Sequence, residues 1–247
     1  MLILIPPSET KRSGGGFLCL DWTALSYPTL TSRRRALARA LVKFSKQPEA
    51  AMTALKLGRT QTAEVERNRL LLTSPSMAAM DRYTGVLYDA LDAGSLSPAA
   101  RAFAAEHLVV HSALFGLLGA LDPIPAYRLS HDSRVPEHPL KAHWTVATTK
   151  VLSAVPGLVL DLRSEGYVSL GAAPLRSDSL FLRVVTVSPE GHTRAMNHFN
   201  KKWKGLFTRA LLEHAEDFAS VEELMAWAPM AGFTLRGGAP GTLLLVV

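Results

Sequence analysis

Four cations lie close together in one stretch of this chain. Lys201, Lys202, Lys204 and Arg209 fall within RAMNHFNKKWKGLFTRALLEH at 194–214. There Met196, Phe199, Trp203, Leu206, Phe207, Ala210 and Leu211 recur at three- and four-residue steps, the pattern of one amphipathic helix. The three lysines sit in its first half, where the macrodipole disfavours cations. Two readings stand side by side: a solvated polar face, or a cation cluster held on a rigid support to meet an anion. Further polar chemistry follows two apolar runs. SETKRSGGG, from Ser8, comes after LILI at 2–5, and Arg163-Ser164-Glu165-Gly166-Tyr167 comes after GLVLDL at 157–162. If those runs are strands of an α/β sheet, both loops lie at the carboxyl edge, where ligands collect. The first loop has three glycines that permit close backbone approach. No GK[ST] follows it, so it is not a Walker A loop. The alternative is a plain surface connection.

Several other chemistries lack their motifs. The sequence has no GxSxG and no HExxH. Its eight histidines are dispersed, and neither His107/His111 nor His138/His143 has a carboxylate in a zincin pattern. A dedicated iron site therefore lacks its ligand spacing, and no metal or cofactor is expected. Cys19 is the only cysteine, which excludes an internal disulfide and any multi-cysteine zinc or iron–sulfur site. A cytoplasmic location is the expectation.

The elements that must position these loops come next. The chain has 247 residues, 48% of them apolar, enough for a substantial core. No composition break marks a boundary, so 1–247 reads as a single domain. No apolar run approaches the ~20 residues of a membrane span, and LILI closed by Pro6-Pro7 reads as a buried strand and not a signal peptide. The net charge is +6 and the pI is near 9.6, which makes an anionic partner plausible. Residues 33–69 hold ten Lys/Arg against three Glu.

Helices are expected from Ser32, as N-cap, through Phe44, with Arg33, Arg34, Arg35, Arg39 and Lys43 on the polar side and Leu37, Ala40, Leu41 and Phe44 inward. Others run from Pro48 to Leu57, Thr62 to Leu72, Pro98 to His107 behind the Ser97 cap, 139 to 153, and Ser220 to Trp227 with a Ser220–Glu223 capping box. A turn at Thr84-Gly85 precedes a short helix. LVVHSA at 108–113, GLVLDL, LFLRVVTV at 180–187, GFTLR and TLLLVV read as strands. Ser188 to His192 reads as a turn, and LFGLLGALDPI as a compact apolar hairpin ending at Tyr127-Arg128. Irregular alternation of the two element types gives an α+β (mixed α/β) fold, a central mixed sheet wrapped by helices.

Taken together, LILIPPSETK, Tyr83-Thr84-Gly85, HSALFGLLGALDPIPAYRL, DLRSEGY and NKKWKGLFTRALLE, followed by a serine-started helix and GFTL, resemble the YaaA family of bacterial peroxide-stress proteins in both order and spacing. The resemblance spans nearly the whole chain. It implies a cytosolic protein that limits oxidative damage under hydrogen peroxide by keeping free iron low, an indirect effect on iron homeostasis. It also implies a mixed α/β fold with a basic cleft, a helix–hairpin–helix-like element and binding of double-stranded DNA. The glycine-broken hairpin at Leu114–Leu121 is the counterpart offered for that element. One departure stands out. The family start is closer to Ser-Pro-Ala-Lys-Thr, with lysine where this chain has Glu9, while Lys11 and Arg12 follow. Trp203-Lys204 likewise replaces the family's alanine-arginine pair before the helix glycine.

The family segments coincide with the loops and helix face already singled out. If their strands are parallel neighbours, Lys11, Arg128, Arg163 and Lys201 converge in one cleft, with Lys202, Lys204 and Arg209 beside it. Arginine forks and lysine point charges suit phosphate. On a duplex, such contacts give non-specific or structure-selective, salt-sensitive binding. The competing reading is an enzyme acting on a phosphorylated or nucleotide-like small anionic ligand. Glu9, Glu165 and Tyr167 would then serve as acid or base and Ser8 or Ser164 as anion donor, with Tyr127 in the pocket wall. A third reading gives the arginines at 33–39 to a protein partner or an acidic membrane surface. Core packing is the alternative for Tyr127 and Trp203.

Overall fold

The computed structural model describes residues 1–187, 193–195 and 200–247. In chain order the strands are β1 (Leu2–Ile5), β2 (Phe17–Cys19), β3 (Pro75–Ala78), β4 (Leu108–Ser112), β5 (Gly116–Gly119), β6 (Pro123–Ile124), β7 (Val159–Asp161), β8 (Ser179–Val187), β9 (Thr193–Ala195), β10 (Thr234–Gly237) and β11 (Thr242–Val246). The helices are α1 (Thr31–Phe44), α2 (Pro48–Ala54), α3 (Thr62–Arg69), α4 (Ala79–Arg82), α5 (Val86–Leu91), α6 (Pro98–His107), α7 (Leu140–Ser153), α8 (Glu165–Val168), α9 (Asn200–His214) and α10 (Val221–Trp227).

The main sheet runs β10-β11-β8-β7-β1-β4-β5, with β9 paired to β8, and helices wrap it in an α+β fold. Its five central strands are mutually parallel, while β5 and β10 close the edges antiparallel. β1 sits at the centre because Leu2, Ile3, Leu4 and Ile5 are apolar on both faces, as a strand covered on both sides requires. β2, β3 and β6 form a small second sheet. The chain passes from β1 to β4 on one side, then crosses back to β7 and continues outward to β8. Strand order therefore reverses at β1, and the adjacent carboxyl ends of β1 and β7 flank the crevice where open α/β sheets take their ligands.

Several local expectations shift. Leu30, not Ser32, occupies the N-cap of α1, and α2 and α3 stop at Ala54 and Arg69. Arg34 does not lie on a polar face. It is fully buried and donates to the carbonyls of Ser26, Phe115 and Leu117, clamping the β4–β5 connection. The segment Leu114–Leu121 is not a helix–hairpin–helix element: it carries β5 of a tight antiparallel β-hairpin with β4. Gly116 turns it at φ +67°, where a Cβ would press on the Trp144 ring at 2.8 Å. The cap at Ser220 is present, accepting from the Glu223 amide, while the Glu223 carboxylate reaches back to Ala219. The long amphipathic helix is described over Asn200–His214. The anticipated turn at 188–192, and Met196 and Phe199, lie outside the described residues. Among the described residues no helix is long and apolar enough to cross a membrane.

Candidate functional site

A recess of about 480 Å³ opens at the carboxyl ends of β1 and β7. Pro6, Pro7, Ser8 and Glu9 supply one wall, Leu162, Ser164 and Tyr167 a second. Thr84 to Tyr88 close a third side, Ser130 and His131 a fourth, and the start of α9 contributes Asn200, Lys201 and Lys204.

The Ser8–Lys11 loop owes its shape to a buried lysine. The Lys11 side chain packs on the Tyr127 ring, 4.0 Å from its centroid, and donates to the carbonyls of Ser8 and Glu9. Burial, then the neighbouring Arg128, lower its pKa from 10.5 to about 7. Backbone bonds from Arg12 to Arg82 and from Thr84 to Thr10 fasten the loop to the Tyr83-Thr84-Gly85 turn. Gly85 has φ +94°, and a Cβ there would come 3.2 Å from Ser8 Oγ. This is the physical content of that tripeptide.

Behind β7 stands a buried ionic chain. Arg163 is fully buried and grips Asp161 through Nε and Nη2 at 2.8 and 2.6 Å. Its Nη1 donates to Gly171 O and to His111 Nδ1. Burial and that guanidinium hold the His111 pKa well below the usual range, so the ring is neutral with its proton on Nε2, which has no partner among the described residues. The Arg163 carbonyl in turn accepts from Lys204 Nζ at 3.3 Å. Lys204 is 5% exposed, and burial lowers its pKa to about 8.

The expected site residues thus separate. Ser8, Glu9, Ser164, Tyr167, Lys201 and Lys204 line one recess. Lys11, Arg128, Arg163 and Tyr127 lie outside its lining. Arg128 pairs with Glu9 at 2.5 Å, and Tyr127 is a core residue whose hydroxyl bonds those of Tyr83 and Ser112. Glu165 pairs with Arg183 beside a neighbouring cavity. Arg209 caps the end of α5 through Leu91 and Asp92 carbonyls. Lys202 is exposed outside the recess. Trp203 is half-buried against the core. Sequence reasoning missed Tyr88, Ser130 and His131. The available signal was their place beside segments already marked, Tyr88 after Tyr83-Thr84-Gly85 and His131 after Tyr127-Arg128. Gly166 belongs with them, since a Cβ there would meet the His131 ring at 2.5 Å. Among the described residues no group of His, Cys, Asp and Glu is arranged to hold a metal.

Chemically the recess offers two ammonium groups on α9, hydroxyls on Ser8 and Ser164, and one carboxylate. This is an α+β protein with a cation-headed recess at the point where its strand order reverses. The family model described as peroxide stress protein YaaA matches residues 1–237. The UPF0246 proteins of Corynebacterium glutamicum (strain R) and Corynebacterium efficiens are similar to it. The first is 40% identical over 96% of this chain and 95% of its own length. The second is 39% identical over 100% of both. A Streptomyces coelicolor UPF0246 protein is 37% identical over 97% of this chain and 94% of its own. The chain belongs to the YaaA family of peroxide stress proteins.

Proposed function

We propose that the protein acts in the cytoplasm against peroxide stress, helping to limit iron-dependent oxidative damage, through a small phosphorylated ligand held in the β1/β7 recess. The observation that carries this reading is the pair Lys201 and Lys204. Both line the recess from α9, and among the described residues neither is in salt-bridge contact with a carboxylate, Asp161 and Glu165 acting on Lys204 only at longer range. A phosphate there would meet two cations. Removing one charge-assisted contact costs ~1.5–3 kcal/mol, or roughly 10–100-fold in affinity. Lys204→Met is therefore expected to weaken a phosphomonoester at least tenfold in titration calorimetry. An unchanged Kd would sink the reading.

Duplex DNA is the second reading, favoured by the exposure of Lys201 and Lys202. Lys11, Arg128 and Arg163 are engaged internally, leaving those two for phosphates. Two contacts give a salt slope of only about −2. Binding of a short duplex with a much steeper slope, lost in Lys201→Ala/Lys202→Ala, would favour DNA over the small ligand.

A further inference from the structure

We infer that the recess takes a nucleoside monophosphate, its phosphate at Lys201 and Lys204 and the N–H edge of its base at Glu9. This rests on the reading just proposed and adds the identity of the ligand's other end.

The lining of the recess carries both signs of charge. Glu9 lines the same space as Lys201 and Lys204 yet pairs with neither; its Oε2 accepts from Arg128. Its Oε1 receives no donor among the described residues. A wholly anionic ligand would meet repulsion at this carboxylate, whereas an N–H donor would complete it. The lining also includes apolar Pro6, Pro7, Val86 and Leu162 and parts of the Tyr88 and Tyr167 rings, beside polar Thr84, Ser130 and His131. The Tyr88 hydroxyl is fixed by donating to the Pro6 carbonyl at 2.9 Å. Burial raises both phenols above their ordinary range, so they remain neutral. A planar heterocycle suits such walls. The volume, about 480 Å³, falls in the ~300–1,000 Å³ range of small-molecule sites, and inorganic phosphate alone would leave most of it unfilled.

The test uses the full chain with three probes: guanosine 5′-monophosphate, ribose 5-phosphate and inorganic phosphate. Calorimetry is expected to rank the nucleotide at least ~10-fold tighter than ribose 5-phosphate, as one added charge-assisted hydrogen bond and a stacked ring require. Glu9→Ala should abolish that ratio while ribose 5-phosphate binds as tightly or more so, because Arg128 is released. The Glu9 side chain is 57% exposed, and an unchanged thermal midpoint would confirm the variant's fold. Equal affinities for nucleotide and sugar phosphate, both lost in Lys204→Met, would overturn this inference and leave the phosphate reading standing. So would a Glu9→Ala variant that weakens both probes alike. Failure of every phosphate to bind the unaltered chain would overturn both.

Discussion

Gly205 offers the sharpest test of how the recess is positioned. It lies where α9 crosses α5, and a Cβ there would sit 2.2 Å from Leu87 O and 2.8 Å from Ala90 Cβ. Helix propensity alone favours Gly205→Ala by about 1 kcal/mol. The overlap opposes it: Leu87 O is backbone and cannot rotate aside, so α9 must retreat by roughly 1 Å to reach ordinary contact. Overpacking of this kind costs about 1–3 kcal/mol, and an immovable partner places it at the upper end. The net loss is therefore about 2 kcal/mol. At ~2–4 °C per kcal/mol for a chain of this size, Tm should fall by about 4–8 °C, read by circular dichroism melting. Lys201 and Lys204 ride on the same helix and Thr84–Tyr88 on the other side of the crossing, so affinity for a phosphomonoester should fall with it. A Tm that stays level or rises would refute the reasoning, because that is the result propensity predicts without the contact.

Three other perturbations bear on the supporting structure. Arg163→Met strands Asp161, which is 2% exposed; breaking a buried pair from one side costs about 3–5 kcal/mol, and a loss under 1 kcal/mol in urea unfolding would contradict the assignment. Tyr127→Phe removes a hydroxyl bonded to Tyr83 and Ser112 and should cost about 1–3 kcal/mol, with an unchanged urea midpoint as the contrary result. Lys11 has a folded pKa of about 7 against 10.5, so the unfolded chain holds more protons between those values and stability rises with pH across that window. Its contribution is complete above 10.5 and is lost as pH falls through 7. Lys11→Met should flatten this rise, whose slope is at most about 1.4 kcal/mol for each step of one in pH; parallel stability curves for the two proteins would count against a buried lysine.

Local chemistry made part of this structure readable in the sequence. LILI before Pro6-Pro7 could hardly be anything but a two-sided buried strand, and Ser97-Pro98 opens α6 with Ser97 Oγ accepting from Ala100. The unreadable part concerns which cations are internal. Arg34, Arg82 and Arg163 are all fully buried, each satisfied by carbonyls or an acid that tertiary folding brings into place. Nothing in a run such as Arg33-Arg34-Arg35 distinguishes the middle guanidinium, since its acceptors on Phe115 and Leu117 are more than eighty residues away. β3 escaped notice because PSMA lacks branched residues and opens on proline. The strand-end loops were legible as candidates. Their sorting into recess and core was not, because it depends on Lys11 turning inward under Tyr127.

The lysine spacing on α9 gains meaning once the recess is known. Lys201 and Lys204 are three apart, so they share a face, and that face lines the recess, while Lys202 points elsewhere. All three lysines fall near the start of α9 as described, with no acid in that turn, and Asp161 and Glu165 act on Lys204 as opposite charges from other elements. At the other end Glu213 stands in the last turn, paired with Arg209. Both placements run against the macrodipole, at about 0.3–1 kcal/mol for each exposed charge. Lys204 carries a burial penalty besides, visible in its lowered pKa. A helix arranged only for stability would reverse this order. An anion seated between Lys201 and Lys204 would turn the burial cost at Lys204 into an attraction, which is the physical reason the calorimetric test of Lys204→Met bears on the proposed phosphate.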